Sequence, residues 1–209
     1  MNIRLTKDHR NYIIDGEQYA RVTDVCNVIP RPGLVKWKIE KGMEESTRIA
    51  KETGEYGDLV HEVTMWNDLN KMKKVEEMLK KYDFLIPPWV AWFDWVGKYV
   101  SKIISVEMIV WSKKWKCAGK VDRVMIMKGD KKPSIGDIKT GNLYDEIGIQ
   151  LHGYKLIYNE SHNPKVDRTI AIHLPRVNPG HIQPKDYDKT KYTDQFKSAV
   201  QLYHSLKQK

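Results

Sequence analysis

Apolar residues recur along this chain in two rhythms, and the change from one to the other divides it. Over residues 44–70, Leu59, Val63, Trp66 and Leu69 fall at i, i+4, i+7 and i+10, the single stripe of one long helix, with Gly54 and Gly57 as its weak points. Residues 71–82 continue as a basic amphipathic helix with Met72, Val75, Met78 and Leu79 inward. Pro87 and Pro88 restart the chain, and Trp89, Trp92, Val96 and Tyr99 mark a further helix. From Ile103 the period shortens: 103–111, 118–127 and 134–139 are rich in β-branched residues and are separated by Lys-rich or Gly-Asp turns. A helix over 145–159, strands at 168–174 and 180–183, and a last helix capped by Thr190 and running to Leu206 complete the pattern. Ahead of the long helix, Asp15-Gly16 turns a short hairpin, Thr23 caps a helix over 24–28, and Leu34, Trp37 and Ile39 lie on another that ends at Gly42. Helices first, then three consecutive strands, a helix and a strand predict an α/β fold with one central sheet.

Composition narrows the class. A chain of 209 residues predicts a single domain. No apolar run approaches the ~18 residues of a transmembrane helix, and the first residues hold no apolar stretch of a secretory signal. The two cysteines, Cys26 and Cys117, exclude a disulfide framework, a Cys-rich zinc site and a four-Cys iron–sulfur cluster, and an intracellular compartment is expected. Lys and Arg number 36 against 27 Asp and Glu, a formal net charge of +9, which favours an anionic partner, nucleic acid first.

Chemistry concentrates in three consecutive segments: Gly119-Lys-Val-Asp122-Arg, then Gly136-Asp137-Ile-Lys139-Thr140-Gly, then Gln150-Leu-His-Gly-Tyr154. Asp122 and Asp137 interrupt apolar strands, where a carboxylate is costly unless paired or metal-bound. Asp137 and Lys139 are two apart, so a strand turns both to one face. If 118–127 and 134–139 are hairpin neighbours, Asp122 reaches the same face. Two carboxylates and an ammonium then converge, either as a buried salt bridge or as a site for Mg²⁺ or Mn²⁺, one or two ions, next to a lysine. The backbone carbonyl of Ile138 is a further oxygen ligand. The second Asp-x-Lys of the chain, Asp130-Lys131-Lys132, sits in a polar turn and reads as solvated surface.

These segments resemble the RecB-type branch of the PD-(D/E)XK nuclease superfamily. Gly57-Asp-Leu-Val-His61 resembles the branch's Gly-x-x-x-His motif, and Glu107, on the strand before Gly119, resembles a further acidic position. Tyr12-Ile-Ile-Asp-Gly, Val22-Thr23 and Leu34-Val-Lys-Trp37 are similar to segments of phage-encoded exonucleases and of the mitochondrial genome maintenance exonuclease, so the matching motifs run from about residue 12 to residue 158. The resemblance implies a restriction-endonuclease-like core, a central mixed sheet flanked by helices, within a single nuclease domain. Its parts are a mostly helical lead-in over 1–102, a catalytic sheet and helix over 103–175, and a closing strand and helix over 176–209. It implies metal ligands at His61, Asp122, Asp137 and the Ile138 carbonyl, a catalytic Lys139, and Gln150 and Tyr154 completing the site from one helix face. Relatives often carry a Glu four residues after the histidine. Here that position is Met65, and Glu62 lies on another face.

The function implied is a Mg²⁺- or Mn²⁺-dependent deoxyribonuclease, an exonuclease acting on single-stranded ends of DNA. A structure-specific endonuclease of phage recombination or repair, and a non-catalytic nucleic-acid-binding protein on the same scaffold, are the alternatives. A histidine ligand suits Mn²⁺ better than Mg²⁺. Glu107 is either a metal-shell carboxylate or an edge-strand surface charge. Lys113, Lys114, Trp115 and Lys116, an aromatic–basic cluster at a hairpin tip, together with Arg123 and Thr140, are candidate nucleic-acid contacts. Trp89, Trp92 and Tyr99 at helical spacing read as core, and His152 as a solvent-exposed residue off the Gln150 face.

Overall fold

Strand β5 (Cys117–Met127) organises the sheet, and its two edges are used differently. Along one edge β4 (Val100–Ser112) runs antiparallel for nearly its whole length, pairing Val100 with Met127 and Ser112 with Cys117. The other edge is shared. At its start β3 (Glu17–Arg21) pairs parallel, Ala20 with Cys117 and Arg21 with Ala118, and farther on β6 (Ser134–Lys139) pairs antiparallel, Arg123 with Gly136 through Met125 with Ser134. Residues 119–122 lie between these two ladders, so the sheet forks there.

The rest of the sheet extends from the fork. On one side β3 pairs with β2 (Asn11–Ile14) and β2 with β1 (Ile3–Leu5), all antiparallel. On the other, β6 pairs parallel with β7 (Arg168–His173), and β7 antiparallel with β8 (Gln183–Asp186). The computed structural model describes residues 2–8 and 11–207. Its sheet has eight strands, mixed in direction, with helices on both faces.

One face carries α1 (Val22–Cys26), α6 (Glu146–Ser161) and α7 (Lys191–Lys207) over Val121, Val124 and Ile135. The other carries α3 (Met43–Asp68) and α5 (Ile86–Tyr99) over Met125, Met127, Ile138, Ile170 and Ile172, with α4 (Met72–Lys81) adding Val75. Helix α2 (Pro32–Lys41) buries no residue. Of the three aromatic residues expected in the core, Trp92 is buried in this second layer and Trp89 half-buried against it, while Tyr99 is exposed and Trp95 takes the second buried place. No helix among the described residues is long and apolar enough to cross a membrane.

Several expectations are corrected. The short first helix starts at Val22, and its N-cap is Arg21 with no side-chain cap, so Thr23 lies inside the helix. The long helix passes Gly54 and Gly57 unbroken, because tertiary packing of its apolar stripe outweighs a propensity cost of about 1 kcal/mol per glycine. The short strand expected at 180–183 is Gln183–Asp186, placed by its ladder to β7 rather than by its own pattern. The N-terminal segment is not helical lead-in alone, because β1–β3 belong to the central sheet.

Candidate active site

The fork opens into a cleft of about 820 Å³. Its walls bring together His61 of α3, Glu107 of β4, Asp122 of β5, Asp137 and Lys139 of β6, and Gln150 and Tyr154 of α6. Five elements therefore supply the residues singled out by sequence.

On β6 the pleat puts Ile135, Asp137 and Lys139 on the α6 face and Ile138 on the opposite one. Asp137 is buried, and its Oδ2 lies 2.5 Å from the Lys139 ammonium. Gln150 Nε2 donates to Asp137 Oδ1 at 3.4 Å and to the Tyr154 hydroxyl at 3.2 Å, as the i, i+4 spacing on one helix face requires. The Tyr154 ring packs over Gly119, where an added Cβ would lie 2.4 Å from its Cε1. Gly119 is thus the opening through which the tyrosine reaches the cleft.

Asp122 closes the fork. Its Oδ2 accepts the Ile138 backbone N–H at 2.8 Å and stands 3.4 Å from His61 Nδ1. The N–H and C=O of one strand residue leave the backbone on the same side, so the Ile138 carbonyl is turned toward the same gap. His61 arrives there because α3 comes close to the end of β6. A Cβ at Gly57 would lie 3.1 Å from Thr140 Oγ1, and His61 follows one turn later. That close approach is a physical reason for glycine four residues before the histidine. Met65 lines the cleft without offering a ligand, and Glu62, expected on another face, lines it too while accepting a hydrogen bond from Trp66 Nε1 at 3.1 Å.

Glu107 sits opposite Asp122 by the register of β4 and β5, since Val106 pairs with Arg123 and Met108 with Val121. Its φ of 52° is left-handed, a conformation that costs a non-glycine residue on the order of 1–3 kcal/mol and clusters at functional sites. Its side chain is 17% exposed, so it is not an edge-strand surface charge. One ligand atom each from His61, Glu107 and Asp122 lie within 4.8 Å of one another. Glu107 Oε1 is buried and accepts no hydrogen bond. One imidazole nitrogen and two largely buried carboxylates, one of them with an underused oxygen, make a donor set that fits a hard or borderline divalent ion such as Mg²⁺ or Mn²⁺, while Asp137, expected as a ligand, lies outside that group with its oxygens on Lys139 and Gln150.

The electrostatics show that the carboxylates are confined. Burial pushes the Asp137 carboxyl above its usual range, against the lowering effect of Lys139. Burial disfavours the Lys139 ammonium, but Asp137 and Asp122 outweigh it and hold that pKa above the ordinary lysine value. Tyr154 is pushed far up by burial and then by the same two carboxylates. Cys26 is pushed up to about 12 by burial, and Cys117 upward for the same reason, so neither buried thiol is a nucleophile.

The candidate nucleic-acid contacts divide. Thr140 lies beside Gly57 at the end of β6. Lys113, Lys114, Trp115 and Lys116 occupy the β4–β5 turn, away from the cleft walls. Trp115 and Lys114 line a separate depression against α7, and Lys116 pairs with Glu17 at 2.6 Å. Arg123 is corrected: it is fully buried, with Nε 2.5 Å from Asp68 Oδ2, Nη2 donating to Thr64 Oγ1 and its guanidinium over the Trp92 ring. It cannot meet a substrate. His152 is corrected too, being buried between Thr193 and the Tyr187 carbonyl, because α7 covers that face of α6.

Sequence reasoning missed Lys120, Asp58, Arg21 and Arg4 as cleft residues. Two lie inside recognised motifs, Lys120 between Gly119 and Asp122 and Asp58 between Gly57 and His61. Arg4 is brought in by β1, a strand of three residues too short to show a period.

No family model matches the chain, and no curated protein matches it. Among solved structures it is similar to that of SSO0001, at a TM-score of 0.42 and 14% identity over 90% of this chain and 78% of that one. It is similar also to a candidate exonuclease of Eubacterium rectale, at a TM-score of 0.42 and 10% identity over 70% of this chain and 65% of that one. Likenesses at this level say nothing by themselves about what the cleft does.

Proposed function

We propose that the protein is a divalent-metal-dependent nuclease of the PD-(D/E)XK kind that hydrolyses phosphodiester bonds of DNA. The observation that carries this reading is the convergence of His61, Glu107, Asp122, Asp137 and Lys139 at the fork between β3, β5 and β6. Several carboxylates buried side by side are costly for a packed core and are what a site for a divalent ion requires.

In this reading His61, Glu107, Asp122, Asp137 and the Ile138 carbonyl hold Mg²⁺ or Mn²⁺. When bound, such an ion neutralises the carboxylates, lowers the pKa of a water and stabilises charge on the phosphate. The chain's own residues do the rest. Lys139, kept protonated by Asp137 and Asp122, places a fixed positive charge where negative charge develops on the phosphoryl oxygens. Gln150 holds the Asp137 carboxylate by one oxygen and Tyr154 by its hydroxyl. Hairpin β1–β2 contributes Ile3, Arg4, Leu5 and Tyr12 to the cleft wall, and the substrate in this reading is a single-stranded end.

Digestion of linear and circular single-stranded DNA with Mn²⁺ or Mg²⁺ tests the proposal. Metal-dependent loss of the linear strand with the circle intact is expected. Cleavage of the circle would favour the endonuclease alternative, and no cleavage of either by folded, metal-loaded protein would leave only a binding role.

A further inference from the structure

The Glu107 carboxylate is bracketed by two cations of different character. On one side Arg123 Nη1 lies 3.6 Å from Oε1. That guanidinium is immobile, since it is fully buried, ion-paired to Asp68 and bonded through Nη1 to the Asp122 carbonyl at 2.7 Å. On the other side the Lys120 ammonium contacts Oε2 directly. Register explains that contact. Glu107 stands opposite Asp122, so Lys120 is its diagonal cross-strand neighbour. Unlike Arg123, the Lys120 side chain is 53% exposed and lines the open cleft, so solvent is available to it when it lets go. Lys139 differs again, with its side chain only 25% exposed against Asp137.

We propose that Lys120 is an exchangeable counter-ion of the metal site: its ammonium neutralises Glu107 in the metal-free protein, and a divalent ion displaces it to take that carboxylate as a ligand. The inference rests on the reading that His61, Glu107 and Asp122 hold a divalent metal. It adds that metal binding must compete with a lysine of the same chain for Glu107. A dication on Glu107 and an ammonium on the other oxygen of the same carboxylate repel strongly at that range, so metal binding drives Lys120 off the carboxylate.

Isothermal titration of the intact protein with Mn²⁺ alone tests this without reference to catalysis. Lys120→Met should bind Mn²⁺ on the order of 10-fold more tightly than the parent, because a competing unit charge is removed at close range. Lys120→Arg, which keeps a cation, should stay close to the parent affinity. Glu107→Gln placed on Lys120→Met should erase the gain. The melting temperature gives a second readout: Mn²⁺ should raise it more in Lys120→Met than in the parent. Mn²⁺ affinity that is unchanged or weaker in Lys120→Met would overturn the exchange while leaving the metal site standing. Absence of Mn²⁺ binding in the parent and every variant would overturn the metal reading itself.

Discussion

At the scale of single residues, the polar groups inside this protein are held in definite protonation states by their neighbours. His152 shows the principle away from the cleft. Its Nε2 is 2.5 Å from the Tyr187 carbonyl, which can only accept, so Nε2 carries the proton and Nδ1 accepts from Thr193 Oγ1 at 2.8 Å. Burial lowers its pKa, opposed by the Tyr187 carbonyl. A histidine whose folded pKa lies below its unfolded value stabilises the fold above the unfolded pKa, and that contribution is lost as pH falls through the folded one. The parent protein should therefore lose melting temperature between pH 7 and pH 5 more steeply than His152→Gln, as read by circular dichroism. Equal slopes would show that His152 is not the titrating group. Asp137 and Lys139 follow the same logic with the opposite outcome. Both are confined and each supplies the other's counter-charge at 2.5 Å, which raises the Lys139 pKa and opposes the upward push of burial on Asp137.

At the scale of elements, a buried polar cluster ties the two halves of the chain together. Arg123 of β5 joins Asp68 at the end of α3, and Asp68 Oδ1 accepts Trp92 Nε1 of α5 at 2.9 Å. Removing one partner of a buried pair leaves an uncompensated charge, so Arg123→Met should cost about 3–5 kcal/mol in urea denaturation. The double variant Arg123→Met with Asp68→Leu should recover most of that loss. A loss below ~1 kcal/mol in the single variant would contradict the assigned role. Arg123 also marks where sequence stops being informative. As the residue after a site aspartate it looked like a substrate contact. Its true partners, 55 and 59 positions away, are set by packing that no local pattern encodes.

The legible parts share a different property. Strand β6 and the i, i+4 pair of α6 carry their meaning in spacing alone, and both lie where expected. Gly57 and His61 were legible as a motif, and the structure supplies a reason, the approach of α3 to Thr140. The fork was not legible. It depends on β3 and β6 sharing one edge of β5, a long-range choice between strands almost 120 residues apart in the chain. The wall formed by β1 and the role of Lys120 follow from that choice, and were missed with it.

At the scale of the whole molecule, a net charge of +9 surrounds a cleft whose deepest groups are carboxylates. Basic surface favours a polyanion at long range, while the cleft floor repels it until positive charge is placed there. Lys120 and Lys139 supply part of that charge from within the chain, and the donor set of His61, Glu107 and Asp122 fits a divalent ion for the remainder. Attraction, repulsion and its relief are thus distributed between surface and site. The most direct measurement of this account is Mn²⁺-dependent cleavage of end-labelled single-stranded DNA by the parent, Asp137→Asn and Lys139→Met, each verified to melt like the parent. EDTA-sensitive cleavage by the parent and a loss of about 10²-fold or more in both variants are expected. Cleavage at the parental rate by either folded variant, or none by metal-loaded parent protein, would contradict it.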